Sequence, residues 1–141
     1  MSGVMSRNKG LRAEREVLNL LQAVVNEEFE HAQVEPPILS RNLVQTREGG
    51  YDIVGLDWLA LEVKHQETFH VADWWRQTCR QAAEGQEPVL FYRRNKVRWR
   101  VMLMGFIAAG SKAVATPVDI TLDSFVAYFK IRIQHELNRG K

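Results

Sequence analysis

One cysteine among 141 residues, Cys79, rules out an internal disulfide. Four histidines scattered along the chain form no cluster with it, so no spacing suggests a zinc site. Long apolar runs are missing as well. The longest, Val101 to Ala109, is interrupted by Gly105 and falls far short of the ~20 residues a membrane span needs. It reads as a buried strand and its exit. The opening MSGVMSRNKG has no apolar signal core, so the expectation is a cytoplasmic protein with no membrane partner. No stretch is repeated or of low complexity. An excess of charge of one sign is almost absent: 19 Lys and Arg face 17 Asp and Glu, a formal net charge of +2. On that figure nucleic acid is permitted as a partner and no more.

Within that balance the cations are bunched. Arg7, Lys9, Arg12 and Arg15 crowd the N-terminus, and Arg93, Arg94, Lys96, Arg98 and Arg100 crowd a later segment. Basic faces on a nearly neutral molecule follow. Chain length and a hydrophobic content of 45% fit one domain, residues 1–141, with a real core.

Leu11, Val17, Leu18, Leu21, Val24 and Val25 recur at helical steps and predict a helix over about residues 8–29, closed off by Pro36 and Pro37. A short strand is expected at Ile38 to Val44, a loop at Gln45 to Gly50, and strands at Tyr51 to Gly55 and Leu59 to Gln66. Val71, Trp75, Thr78 and Ala82 mark one side of a second helix over about 71–84, with Gly85 as its stop. The run PVLFYRRNKVRWRVMLM reads as a hairpin turning near Arg94-Asn95. A short strand at Val114 to Ile120 precedes a last helix, Leu122 to Leu137, with Thr121 as N-cap. This order predicts an α/β fold with helices packed on one sheet. Of the four tryptophans, all able to stack on a base, Trp75 and Trp99 lie on apolar faces and are expected in the core.

Three acids and a lysine interrupt this pattern. In a hairpin turning at Asp57, Asp52 lies opposite Glu62, Val54 opposite Ala60 and Ile53 opposite Leu61. The two carboxylates then share a face with Cβ atoms roughly 4.5–5.5 Å apart. Such a pair is unfavourable unless a cation or a proton lies between them. Glu14 sits in the apolar stripe of the first helix, three residues after Leu11 and four before Leu18. A carboxylate there is costly unless something satisfies it; Glu16 points to the solvent side. A hard divalent cation held by oxygens, Mg²⁺ or Mn²⁺, answers both problems. Each residue also has a purely structural role open to it. Glu14 can pair with Arg15 or Lys64, Asp52 can serve the turn after Gly49-Gly50, and Glu62 with Lys64 can form a solvated edge-strand face.

The series Glu14, Asp52, Glu62-Val63-Lys64 resembles the PD-(D/E)XK nuclease signature, with Tyr51 in place of its proline. The opening NKGLRAEREVLNLL is similar to the first helix of archaeal-type Holliday junction resolvases, and PVLFYRRNKVRWRVM, with Trp99, to their closing hairpin. The whole is also similar to small resolvase-like nucleases of bacteriophages. The resemblance covers about residues 6–104 and leaves 105–141 as a C-terminal extension. It implies a restriction-endonuclease-like fold: a mixed central sheet flanked by helices, with an extra C-terminal helix.

The resemblance also implies a chemistry. Mg²⁺, with Mn²⁺ able to substitute, would be held by Asp52, Glu62 and the Val63 carbonyl, with Glu14 joining directly or through water. Lys64 would orient or help activate the attacking water, and a DNA strand would be hydrolysed to leave a 5′-phosphate. Gln66 continues the strand face toward the phosphate. Arg7, Lys9, Arg12 and Arg15, and Arg93, Arg94 and Lys96 at the hairpin tip, supply phosphate contacts without sequence readout. The loop before Asp52 departs from the archaeal pattern, so no DNA contact is carried to Arg41 or Arg47. Branched DNA is the expected substrate. Two matched cuts across a four-way junction need two active sites, hence a homodimer, to which the last helix with Tyr128 and Ile131 can contribute. A same-fold nuclease acting on other DNA, and a non-catalytic DNA-binding module, are the alternatives.

Overall fold

The first helix, α1 (Gly3–His31), outruns its apolar stripe at both ends in the computed structural model, which describes residues 3–43 and 51–139. Its inward side buries Ala13, Val17, Leu21, Val24 and Val25, one face of a 3.6-residue repeat. The chain then enters β1 (Ser40–Arg41), β2 (Ile53–Val54) and β3 (Leu59–His65). β1 is much shorter than the expected Ile38–Val44 strand, and Ile38 is 85% exposed. Val44 and the Gln45–Gly50 loop, Arg47 included, lie outside the described residues. β2 and β3 pair antiparallel with Ile53 opposite Leu61, the register that a turn at Asp57 predicts.

The second helix, α2 (Val71–Gln81), crosses from β3 to β4 (Glu87–Arg93) and makes those two strands parallel. It buries Trp74 and Thr78, while Trp75 is half-buried. Trp74 thus takes the core place expected of Trp75. The cause is an aromatic box offered by the neighbouring elements: Phe69 lies 5.8 Å and Tyr92 6.3 Å from Trp74, ring centre to ring centre. Trp58, Trp74 and Trp99 are all buried, so none of the three is a free stacking platform.

The next connection is also longer than predicted. β5 (Arg100–Ala109) begins only at Arg100, because Trp99 leaves the strand line to fill the core against Phe91, 5.9 Å away. Arg94 to Trp99 therefore form an extended turn, with Lys96 at φ 60°. β6 (Lys112–Thr121) has ten residues, against the short strand expected at Val114 to Ile120. α3 (Leu122–Asn138) closes the chain, and the Thr121 hydroxyl accepts the Ser124 N–H as its N-cap.

All six strands form one sheet in sequence order, parallel only between β3 and β4. Alternation sorts its side chains. Leu61, Val63, Phe91 and Val101 face α1 and α3, meeting Phe125, Phe129 and Ile133; Leu90, Tyr92 and Met102 face α2. α3 is stitched to α1 by Gln134, which donates to the buried Glu28 at 2.5 Å. A mixed sheet with helices on both faces is the restriction-endonuclease-like architecture. Among the described residues no helix is long and apolar enough to cross a membrane.

Candidate active site

The β2–β3 hairpin sets two carboxylates side by side. The Asp52 N–H donates to the Leu61 carbonyl at 2.8 Å, and the Asp52 carbonyl accepts from the Asn42 N–H at 2.8 Å. The backbone ladder would next engage the Val63 N–H. Asp52 Oδ2 takes that bond instead, at 2.7 Å, so the side chain lies along β3 beside Glu62. Both acids are buried, Asp52 2% and Glu62 4% exposed.

Glu62 is the poorly satisfied member. Its Oε1 lies 3.6 Å from Lys64 Nζ, and its Oε2 is buried with no hydrogen-bond partner among the described residues. Burial, and then the Asp52 charge, push its pKa up to about 8 despite the pull of Lys64. A carboxylate in that state holds a proton or waits for a cation.

Glu14 approaches from α1. Burial raises its pKa; the Arg41 hydrogen bond opposes that, and the Asp52 charge adds to it. Arg41 Nε donates to Glu14 Oε2 at 2.8 Å, so the partner is neither Arg15 nor Lys64. No group of three or more His, Cys, Asp or Glu side chains among the described residues is close enough to hold a metal by itself. Asp52 and Glu62 lie side by side, and Glu14, held by Arg41, stands close enough for the Asp52 charge to raise its pKa. Two carboxylates, one with a buried oxygen that no donor among the described residues reaches, suit Mg²⁺ or Mn²⁺, which take one or two carboxylates and keep several waters.

A cleft of about 580 Å³ gathers Lys9, Glu14, Asp52, Glu62, Val63, Lys64 and Gln66. Of the other cations expected to meet phosphate, Arg12 and Arg93 line an adjoining cleft of about 440 Å³ with Lys9 and His65. Arg93 is not at a hairpin tip. It ends β4, donates to Glu16 at 2.8 Å and lies over Trp99, 4.7 Å from the ring centre. Arg94 covers the Phe69 ring at 4.3 Å, and Lys96 is exposed on the extended turn. Arg7 and Arg15 are exposed on α1. Glu16 is exposed, as expected, and from that position ties α1 to the sheet by accepting from Arg93 and from Trp99 Nε1 at 3.0 Å.

Three contributors have no signal in the spacing of the sequence. Arg41 reaches Glu14 only because β1 pairs with β2. Glu67 accepts from Lys9 at 3.4 Å and from the Asn95 N–H at 2.8 Å, joining the two clefts. His65 has a buried Nε2 without a partner among the described residues. Burial, then Arg93 and Lys9, lowers its pKa.

Asp52 and the Glu62-Val63-Lys64 triplet on adjacent strands of a mixed sheet, with a helical glutamate beside them, define a nuclease of the PD-(D/E)XK class. Residues 5–136 match the family described as "Phage putative PDDEXK endonuclease", and the chain belongs to that family. The match does not stop at residue 104; it takes in β6 and nearly all of α3. No curated protein and no solved structure matches the chain.

Proposed function

We propose that this endonuclease is Mg²⁺-dependent and selective for branched DNA, resolving four-way (Holliday) junctions in the host cytoplasm by paired phosphodiester hydrolysis as a homodimer. The observation that carries the catalytic part is the buried Asp52–Glu62 pair, with a Glu62 Oε2 that meets no donor among the described residues. Asp52 and Glu62 would hold the cation, with the Val63 carbonyl and with Glu14 directly or through water. When bound, the ion polarises the scissile phosphate and makes water a better nucleophile.

The remaining roles belong to the chain. Asp52 is fixed by the Val63 N–H, so its carboxylate needs little reorganisation. Lys64, steered by Glu62, orients the attacking water and neutralises charge that develops on the phosphate. Arg41 holds Glu14 beside the pair. Lys9 and Gln66, lining the same cleft, meet the strand being cut, and Arg12 with Arg93 meet the phosphates that follow it.

The test is cleavage of labelled four-way junction, fork, nicked and linear duplex DNA, with Mg²⁺ or EDTA. Paired nicks on the junction are expected, absent in EDTA and reduced more than ~100-fold in Glu62→Gln. Cutting of the other substrates would keep the nuclease and discard junction resolution. Tight junction binding with no cutting in Mg²⁺ or Mn²⁺ would leave a DNA-binding module.

A further inference from the structure

β4 accompanies β5 only as far as Leu103, opposite Val89. From Met104 onward β5 pairs with β6 alone. Residues 104–117 thus form a two-stranded arm of about 20 Å, six residues per strand. It runs past the start of β4, at the end of the sheet opposite Lys64, His65 and Arg93. Gly110, at φ 66°, closes it with Ser111.

Every residue from Phe106 to Ala115 is exposed. Phe106 is 75%, Ile107 55% and Val114 53% exposed. Cross-strand pairing puts Ile107 with Val114 on one face and Phe106 with Ala115 on the other. Two strands alone are marginally stable in water, and an apolar ribbon bare on both faces calls for a protein partner. Lys112 is the one charge in the Phe106–Ala115 tip, too little to grip a polyanion.

The same end of the molecule carries a cavity. About 390 Å³ opens between α1, the β2–β3 turn and the last turns of α3, lined by Phe29, Leu56, Trp58, Ile133 and Leu137. Asp57 stands exposed on its rim. The arm is apolar with one cation; the cavity sets its apolar side chains beside two acids, Asp57 and Glu136, and one cation, Arg139.

We propose that the arm's partner is a second copy of this chain. Two protomers exchange arms about a two-fold axis, Ile107 and Val114 of one entering the cavity of the other, with Lys112, on the same face of the arm, against Asp57. Arm and cavity lie on one chain at one end, so the contact is self-complementary and closes at two subunits. It rests on the proposed function only for the expectation of a homodimer, and places the contact on the arm instead of Tyr128 and Ile131.

The test reads association in EDTA without DNA, so it can fail while metal-dependent cleavage stands, and the reverse. Sedimentation should show a dimer for the wild type. Ile107→Asp should raise its dissociation constant ~30-fold or more with an unchanged circular dichroism spectrum. Lys112→Asp should weaken the dimer, and Asp57→Lys in the same chain should restore it. A wild-type monomer, or a dimer indifferent to the arm substitutions, overturns the exchange. A charge reversal that Asp57→Lys does not rescue overturns docking at the cavity.

Discussion

Glu62 titrates in the folded protein near pH 8, well above an ordinary carboxylate, because burial first and Asp52 second disfavour its charge. The sign follows from proton counts. Between the unfolded value of 4.5 and about 8 the folded state binds the extra proton, so raising the pH favours unfolding. Stability tied to this proton is intact below pH 4.5 and lost as the pH rises through 8. His65, with its lowered pKa, works in the opposite direction at lower pH, so the comparison must isolate Glu62. Calorimetry in EDTA should show the wild type losing melting temperature relative to Glu62→Gln between pH 5 and 8.5. Mg²⁺ should raise the wild-type melting temperature more at pH 8.5 than at pH 5.5, since it replaces a proton. Equal pH profiles for the two proteins would remove Glu62 from the account. The Glu14–Arg41 pair makes a second claim at this scale. It is partly buried, 15% and 25% exposed, and a double-mutant cycle with Glu14→Gln and Arg41→Gln should give a coupling of about 1 kcal/mol by urea denaturation.

At the scale of the element, Asp52 does a strand's work with its side chain. Asp52→Asn keeps an acceptor for the Val63 N–H and removes the repulsion on Glu62, so it should fold at least as well as the wild type while cleaving far less. Asp52→Ala leaves that buried N–H without its acceptor and should cost ~1–3 kcal/mol. If denaturation curves rank the two the other way, the hydrogen bond is not what anchors the hairpin. The hairpin itself was legible in the sequence, because alternation and the Gly55–Asp57 turn allow one register that keeps Ile53 and Leu61 inside. Asp52, Glu62 and Lys64 could be placed together for the same reason. Arg41 could not, since its meeting with Glu14 depends on pairing across 27 residues that carry no common pattern. Trp74 and Trp75 are one helical step apart, and the stripe through Val71 and Thr78 accepts either; Tyr92 and Phe69, from other elements, decide. The arm escaped for a different reason. Neither of its faces is covered, so Phe106 to Ala109 show no apolar–polar alternation, and only the Gly110-Ser111 pair marks the turn.

For the whole molecule, a net charge of +2 means that affinity for DNA cannot come from overall attraction and must arise where cations are concentrated. Lys9, Arg12 and Arg93 converge beside the Asp52–Glu62 cleft, at the end of the sheet away from the arm. Two of these cations are already engaged, Lys9 by Glu67 and Arg93 by Glu16, so DNA must displace an acid to use them. Arg12 is exposed; Glu16, which shares its cleft, is held by Arg93 and Trp99. A phosphate contact contributes about 0.9 to the slope of log affinity against log salt on duplex DNA. Arg12→Gln should therefore reduce the slope by about 1, and Lys9→Gln by less, because Glu67 competes for the same ammonium. Fluorescence anisotropy in EDTA, with labelled duplex and four-way junction over a salt series, measures both. Neither substitution should change the ratio of junction to duplex affinity, because backbone contacts position the strand without reading its shape or sequence. An unchanged slope in Arg12→Gln would move the DNA path off this cleft. A changed ratio would mean that Arg12 reads the branch point itself.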